Sequence, residues 1–358
     1  MKRPLLFIPV LIFLNTALAQ EGPTPAQTLR LARATYEQGR LHEIPTQLND
    51  EVIAKMTKQE KVEAHKILCL TYIYLEEPAK ADESMLNILS TDPYFQVNDV
   101  VDPAEFVALY KTFRTLPVWR IGGKLGVGAC IPNISESATA GNLGEGSKYS
   151  SLIGIHFGLA VEKPINTRLT ITGELQYSQK RFKFTQIFDR EEDIITGETL
   201  ENTTEGIEQE TWLSLPLSVE YKPIKGKSKF NEKFNPYLRG GVAIDYLLGA
   251  KITGEQLRDK QPAIQEKSFD IKDLRTPINI SVLAGAGVKI RAGGGYIVSE
   301  VRFLYGLTKL SSKESAYQNQ PITWELNYAD PIFTISSLEV SAGYIQNIFN
   351  PKKLMRRK

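Results

Sequence analysis

The chain has 358 residues, of which 42% are hydrophobic and 23% charged, and its formal net charge is +2. So small a net charge does not indicate a nucleic-acid-binding protein, which would carry a basic excess. The length allows two domains, and after residue 20 no apolar run reaches the ~20 residues that a membrane-spanning helix needs.

The N-terminus has the three parts of a secretory signal peptide. Lys2 and Arg3 supply the positive charge, Leu5 to Leu14 the apolar stretch, and Ala17-Leu18-Ala19 the small-residue cleavage site. The apolar stretch is about half the length of a spanning helix, so an anchor is the weaker interpretation. We predict that residues 1–19 are removed on export.

Residues 20–117 are predicted to form a helical domain. They are rich in Ala, Leu, Glu and Lys, and their apolar positions recur at helical spacing. Thr57 and Glu60 fit a capping box at a helix start. Asp102 followed by Pro103 predicts the start of a last helix that runs to about Arg114.

The middle of this domain resembles a tetratricopeptide repeat. Leu68, Tyr72, Ala81 and Pro93 stand at the spacings of the Leu, Tyr, Ala and terminal Pro of that motif, and Met85 takes the place of its second aromatic residue. The resemblance implies two packed helices, which approach each other closely at the small Ala81. It extends over one and a half repeats, fewer than the about three that stacked arrays normally need.

From Pro117 onward the apolar period changes from helical spacing to two, which indicates strands. Within 118–350 we predict eight strands, near residues 119–131, 152–163, 168–182, 211–222, 236–248, 277–290, 296–305 and 332–345. These segments are long for soluble strands and fit tilted membrane crossings. In the fourth, Leu213, Leu215 and Leu217 alternate with Ser214 and Ser218.

The predicted connections alternate between long and short. Long ones lie near 132–151, 183–210, 249–276 and 306–331, short ones at 164–167 and 291–295, and a medium one near 223–235. Outer-membrane barrels have short periplasmic turns and long extracellular loops. We therefore predict that the helical domain and the basic tail, residues 351–358, are periplasmic. The tail either contacts anionic lipid headgroups or is solvated.

The polar face of the strands carries many glycines and charges of both signs. An eight-stranded interior is just wide enough for side chains to fill it, and a buried charge is costly unless it is paired. We therefore predict an interior charge network that leaves no room for a diffusion pore. Its members are Arg120, Lys124, Glu162, Glu174, Glu220, Arg239, Asp245, Lys289, Glu300, Arg302 and Glu339.

Aromatic side chains gather near the predicted strand ends, where rings at a membrane interface prefer to lie. Some of them are open to the alternative that they point into the barrel. They are Tyr177, Trp212, Tyr221, Tyr237, Tyr246, Tyr296, Tyr305 and Tyr344.

We predict no catalytic residue, metal ligand or cofactor site, and hence no enzyme. Of the three histidines, His42 and His65 lack further ligands at metal-binding spacing. His156 falls on the polar face of the second strand, where a barrel hydrolase acting on lipid would need a serine and an orienting acid. Ser151 lies on the opposite face by parity, so this alternative is the weakest.

The Gly-rich segment Ile121 to Ala129, the hairpin Arg291 to Gly295 and the last strand Leu338 to Tyr344 carry a family resemblance. With the signal peptide, they are similar to the PorT-like outer-membrane β-barrel family of Bacteroidetes, over residues 119–349. The resemblance implies an eight-stranded antiparallel up-and-down transmembrane barrel. For some members it also implies a link to type IX secretion and gliding machinery.

The predicted fold is thus α+β multidomain, with helical hairpins before a transmembrane barrel in the outer membrane. We expect a non-enzymatic protein whose helices dock a periplasmic or outer-membrane protein of a secretion, assembly or motility complex. The helices are equally well explained as a cap packed under the barrel. A surface receptor, adhesin or structural barrel acting through its extracellular loops is the main alternative. Outer-membrane lipid is the expected partner of the barrel, and nucleic acid is not expected.

Overall fold

The computed structural model describes residues 23–136, 147–192, 199–223, 234–258, 261–312 and 320–354. The predicted signal peptide, residues 1–19, lies outside them. The chain divides into two compact units. We call Met1–Thr115 together with Asn350–Lys358 the helical unit, and Leu116–Phe349 the barrel.

The described residues of the helical unit form six α-helices whose apolar stripes pack into buried clusters. They are α1 Pro25–Glu37, α2 Ile44–Gln47, α3 Asp50–Ala54, α4 Lys58–Tyr74, α5 Pro78–Thr91 and α6 Ala104–Tyr110. The predicted capping box opens α4. The N–H of Thr57 donates to the Glu60 carboxylate at 2.9 Å, and the Thr57 hydroxyl accepts from the N–H of Glu60.

Helices α4 and α5 form a hairpin through a three-residue connection, residues 75–77. Leu68, Ala81 and Met85 are buried in it, whereas Tyr72 is half-buried at its edge. The Cys69 thiol donates to the carbonyl of Ala81 at 3.4 Å, a contact that only a close helix approach allows. Pro93 follows the end of α5 and lies half-buried.

The last helix differs from its prediction. Helix α6 ends at Tyr110, four residues before Arg114, and Asp102 does not cap it. Pro103 stands at the cap position and its side chain has no acceptor, while the Asp102 carboxylate is used elsewhere. That carboxylate accepts from the backbone N–H of Asn98 at 2.7 Å and pairs with Lys66 at 2.5 Å.

The C-terminal segment belongs to the helical unit. The N–H of Arg114 donates to the carbonyl of Lys352 at 3.0 Å, and the N–H of Leu354 donates to Thr112 at 2.8 Å. The Arg114 guanidinium also donates to the carbonyl of Asn350, and Lys353 pairs with Asp82 at 2.7 Å. Residues 350–354 are therefore held by backbone hydrogen bonds, while 355–358 lie outside the described residues.

The barrel is an antiparallel sheet closed into a ring of eight strands, with one further strand beside it. The strands are β1 Trp119–Glu136, β2 Lys148–Pro164, β3 Leu169–Glu192, β4 Thr199–Tyr221, β5 Phe234–Arg258, β6 Gln261–Asp270, β7 Ile278–Ala292, β8 Gly295–Gly306 and β9 Ile332–Ile348. The ring closes where β1 pairs with β9, so that Trp119 lies opposite Ile348. Strand β6, which the sequence did not predict, pairs with β5.

We call the end that holds Trp119, Ile348 and the short turns the proximal end, and the opposite end the distal end. At the distal end, β3, β4 and β5 continue through much of the predicted loops 183–210 and 249–276. Inward side chains such as Phe184 and Thr204 keep period two there. The strands were missed because their outward residues become polar, so the contrast between the faces fades.

Apolar side chains on the outer face of the ring form a continuous band. It includes Leu169–Tyr177 of β3, Leu213–Tyr221 of β4 and Leu238–Tyr246 of β5, each nine residues long. A tilted strand crosses a bilayer in about 9–11 residues. On β4, Leu217 is 53% exposed whereas Ser218 is 5% exposed, so polar residues face inward and apolar ones outward.

Among the described residues, no helix combines the length and the apolar character required to cross a bilayer.

Candidate functional site

All eleven charged residues predicted for the barrel interior are buried there. Arg239 lies at the centre of the group. Its Nη1 is 2.6 Å from Oε1 of Glu174 and 3.1 Å from Oε1 of Glu300, and its Nη2 is 2.6 Å from Oε1 of Glu220. One guanidinium thus joins strands β3, β4, β5 and β8 across the axis of the barrel.

Toward the proximal end, Lys289 bridges two carboxylates. Its Nζ lies 2.6 Å from Oε2 of both Glu162 and Glu220. Arg120 adds a longer contact of 3.3 Å to Glu162 and donates to the Asn347 side chain at 3.0 Å. Each carboxylate here has a cation, which offsets the cost of removing it from water.

A second branch leads from Glu174 toward β9. Lys124 Nζ lies 2.7 Å from Glu174, and Arg302 contacts Glu174 at 2.8 Å and Glu339 at 2.7 Å. Lys124 also reaches Glu300 at 3.5 Å. The network is therefore connected from β1 to β9 through side chains that cross the lumen.

The sequence prediction omitted one member, Lys180, which pairs with Asp245 at 2.8 Å. Its parity on β3 matches that of Glu174, Gln176 and Ser178, and this signal identifies it as inward. With Lys180 the interior group has six cations and six carboxylates and no net charge. They are Arg120, Lys124, Lys180, Arg239, Lys289 and Arg302 against Glu162, Glu174, Glu220, Asp245, Glu300 and Glu339.

Among the aromatic residues predicted for the membrane interface, Trp212, Tyr237 and the half-buried Tyr296 point into the barrel. Tyr237 and Trp212 are buried at 1% and 0% exposure. The Tyr237 hydroxyl donates to Glu300 at 2.5 Å, and the Trp212 indole donates to Glu210 at 3.0 Å. Each of these two rings carries a polar group that donates a hydrogen bond to a buried carboxylate. This favours the inward face over contact with lipid.

His156 lies beside a small cavity in the interior. The cavity has a volume of about 10 Å³ and is lined in part by Lys124, Arg302 and Ser341. The Nδ1 of His156 is 4.0 Å from Glu339, and its Nε2 has no hydrogen-bond partner. A cavity of this size holds about one water molecule and has no room for a lipid substrate.

The distal end of the barrel is filled by an apolar cluster that we call the distal core. It combines inward residues of the strands with residues of α7 (Gln320–Leu326) and of the segments flanking it. Its members include Phe182, Phe184, Trp212, Ile252, Ile271, Ile322, Leu326, Tyr328 and Phe333. The long connections therefore contribute a packed core at this end.

A buried group of four charged residues, which we call the distal cluster, lies against this core. The Arg275 guanidinium donates to Glu208 from Nε at 2.7 Å and from Nη2 at 2.9 Å, and it also pairs with Asp330. It lies over the Phe333 ring, 5.2 Å from its centroid. Glu210 is 3.6 Å from Arg275, and its Oε1 has no hydrogen-bond partner.

The distal cluster lies beyond the apolar band and has three carboxylates for one guanidinium. Burial, with the neighbouring carboxylates, raises the pKa of Glu208 to about 8 and raises the pKa of Glu210. Although burial opposes its charge, the pKa of Arg275 is held well above its usual range by Asp330 and Glu208. Burial therefore favours the protonated forms of Glu208 and Glu210.

Among the described residues, no group of three or more His, Cys, Asp or Glu side chains has a geometry that fits a metal ion.

Residues 116–312 match the family model described as "Outer membrane protein beta-barrel domain". The chain belongs to this family of outer-membrane β-barrels. The match begins at the boundary of the barrel and ends beyond β8, within the connection to β9. The outer-membrane barrel predicted from the alternating strands is confirmed, as is a ring of eight strands.

Several solved outer-membrane barrels are similar to this outer-membrane barrel protein. OprG from Pseudomonas aeruginosa is 10% identical, covering 65% of this chain and 97% of its own, with a TM-score of 0.38. Neisserial surface protein A is 12% identical, covering 64% and 97%, with a TM-score of 0.30. The outer-membrane protease OmpT from Escherichia coli is 8% identical, covering 64% and 96%, with a TM-score of 0.29. No curated protein sequence matches the chain.

Proposed function

We propose that this protein is a non-enzymatic outer-membrane barrel that carries a periplasmic helical unit for docking another envelope protein. One observation carries the proposal. The helical unit is built from both chain ends that flank the barrel, through the contacts of Arg114 with Asn350 and Lys352. The unit is thereby connected to both β1 and β9, as expected of a docking module that a membrane barrel anchors.

The order of long and short connections supports the periplasmic side for this unit. The chain enters β1 and leaves β9 at the proximal end, where the short turns after β2 and β7 also lie. The extended β3–β4 hairpin lies at the distal end. Outer-membrane barrels place short turns in the periplasm. We propose the same orientation here, with the distal core and α7 on the extracellular side.

The filled interior supports an anchoring role in preference to transport. Arg302, Lys289 and Tyr237 are among the largest fully buried side chains of the chain. They occupy the axis of the barrel together with their carboxylate partners. A solute would have to break several buried ion pairs, each costly to separate.

The helical unit presents an apolar tip that suits a contact with a partner. Val100 and Val101, in the segment between α5 and α6, are 92% and 74% exposed. The α4–α5 hairpin resembles one tetratricopeptide repeat, a module that binds other proteins. With the resemblance to the PorT-like family of Bacteroidetes, these features support a place in a secretion, assembly or motility complex.

The test is affinity purification of the full-length protein from membranes, followed by mass spectrometry. The variant Val100→Asp/Val101→Asp should lose the co-purifying envelope protein while the barrel still assembles. Leu31→Asp, at a 52% exposed position of α1, is the matched control and should retain it. Retention of every partner by the double variant, or loss in both variants, would contradict docking through this tip.

A second candidate, a surface receptor or adhesin, is favoured by one feature of the distal end. Trp324 on α7 is 80% exposed, next to a Lys267–Glu325 ion pair of 2.5 Å that ties α7 to β6. An exposed tryptophan is a common anchor in binding surfaces. If Trp324→Ser abolishes binding of cells to a host or neighbour surface while partner purification is unchanged, the distal end carries the function.

A further inference from the structure

Just beyond the distal edge of the apolar band, three outward side chains line up across neighbouring strands. Arg181 of β3 is paired in register with Gln209 of β4, and Gln209 is paired with Lys251 of β5. We call these three residues the basic row. The last apolar row that crosses all three strands is Tyr177, Leu213 and Tyr246, and the basic row follows it by four residues on β3. On β5 one further apolar residue, Leu248, is exposed between that row and Lys251.

The two cations of the basic row differ from Lys183 and Lys267, two other cations of the distal end. Lys183 pairs with Glu205 at 2.6 Å, and Lys267 pairs with Glu325 at 2.5 Å. Within the described residues, neither Arg181 nor Lys251 has an ion pair, although Asp270 lies opposite Lys251 in the β5–β6 register. The Nε of Arg181 is buried without an acceptor. In the part of the chain that the structure describes, the two cations of the basic row therefore have no anion.

The height of the basic row fits a lipid headgroup. Four residues correspond to about 13 Å along a strand, and the tilt reduces this to about 10 Å along the membrane normal. The headgroup region extends about 5–8 Å beyond the hydrocarbon core, and Arg and Lys side chains bend toward it. Arg181 and Lys251 lie two strand spacings apart, about 10 Å, with the Gln209 amide between them.

We propose that the basic row binds the phosphate group of a lipid whose acyl chains lie against the apolar band. Arg181 supplies the planar, multiple N–H donors that match phosphate oxygens, Lys251 a second charge, and Gln209 a neutral donor. The proposal rests on the proposed orientation, which places the basic row in the outer leaflet. The ligand is then a phosphorylated outer-leaflet lipid of the lipopolysaccharide type.

Native mass spectrometry of the full chain, released from nanodiscs, tests this proposal. The probes are bisphosphorylated lipid A, the same lipid after phosphatase treatment, and zwitterionic phosphatidylcholine. Retention of lipid A should exceed that of the other two. It should fall about 30-fold in Arg181→Gln/Lys251→Gln, since a basic residue near an anionic surface contributes roughly a factor of five.

The matched control is Lys183→Gln/Lys267→Gln, which removes the same charge from cations that already have carboxylate partners. It should change lipid A retention less than twofold. Equal losses in the two variants, or retention that does not depend on the lipid phosphate, would overturn the proposal. Displacement of the lipid by millimolar inorganic phosphate would assign the site to a free anion and also overturn it.

Orientation is tested separately, so that failure of the two ideas can be distinguished. A cysteine at exposed Lys267 (Lys267→Cys) should react with a membrane-impermeant maleimide in intact cells. Cys69 and Cys130 are buried and free. Labelling without lipid A retention would reject the lipid site alone, whereas protection from the maleimide would reject the orientation.

Discussion

Arg275 and Glu208 form a two-pronged ion pair at the distal end of the barrel, with N–O distances of 2.7 and 2.9 Å. Both side chains are fully buried. Arg275 belongs to the segment between β6 and β7, and Glu208 belongs to β4. The pair therefore ties the connection between β6 and β7 to strand β4, and Asp330, which precedes β9, also pairs with Arg275.

Replacing Arg275 with Met should be strongly destabilising. The change leaves Asp330 and the acceptor oxygens of Glu208 buried without the guanidinium that pairs with them, and breaking a buried pair from one side costs about 3–5 kcal/mol. Unfolding in urea in detergent micelles measures the change. Lys309→Met is the control, because the Lys309–Glu136 pair is 4.0 Å long and exposed and contributes at most about 1 kcal/mol. Similar losses in the two variants would contradict the role of Arg275.

The distal core should loosen in alkaline solution. The pKa of Glu208 is raised from 4.5 to about 8, so the protonated form is favoured by folding. Its contribution to stability is complete below pH 4.5 and is lost as the pH rises through about 8. Trp212, which donates to Glu210, reports this as a red-shifted emission in a Trp119→Phe/Trp324→Phe background.

Glu210→Gln tests the cause of that shift. The amide keeps an acceptor for Trp212 but removes one of the three carboxylates, which lowers the pKa of Glu208. The alkaline transition should therefore become smaller. An unchanged transition in this variant would show that ionisation of Glu208 does not control the distal core.

Truncation after Phe349 should destabilise the helical unit more than the charge reversal Lys353→Glu. It removes the hydrogen bonds from Arg114 to Lys352 and from Leu354 to Thr112. We expect about 1–3 kcal/mol, from two or three hydrogen bonds at about 1 kcal/mol each. Lys353→Glu breaks only the exposed pair with Asp82, and should cost less than about 1 kcal/mol. The rate of cleavage within residues 23–115 in limited proteolysis measures the difference, and it should be higher for the truncation than for Lys353→Glu.

Loss of the central cation, Arg239, should strongly destabilise the barrel. Arg239→Met leaves Glu174, Glu220 and Glu300 facing one another, and we expect a loss of at least about 3 kcal/mol. Heat-modified mobility on semi-native gels measures the folded fraction. Arg239→Lys keeps the positive charge but loses the planar set of N–H donors. Its folded fraction should therefore lie between those of Arg239→Met and the unaltered protein. Equal folded fractions for all three would contradict the network.

The sequence allowed the ring of eight strands to be predicted because two faces of opposite polarity repeat with period two. Leu213 to Tyr221 shows this most clearly. Beyond the apolar band the contrast between the two faces fades, because polar residues such as Gln209 and Thr211 face outward. The distal extensions and β6 were therefore not predicted. Parity also identifies inward residues one at a time, which places Glu208 and Lys180 correctly once the strands are known.

What the sequence could not supply are the partners of each charge. Parity places Arg239 inward, but it does not show that Glu174, Glu220 and Glu300 converge on it from three other strands. Those contacts depend on the register and tilt of the closed ring. Arg275 was not predicted at all, because it lies in an irregular segment where neither period applies.

The central claim is that apolar side chains face lipid while the charged ones fill the barrel, and spin labelling tests it most directly. Single labels at Leu217→Cys and Ser218→Cys, with Cys69 and Cys130 replaced by Ala, are compared in liposomes by collision with oxygen and with a water-soluble nickel chelate. We expect strong oxygen collision at 217 and protection from both reagents at 218. Oxygen collision at 218 with protection at 217 would show the opposite sorting and contradict the outer-membrane account.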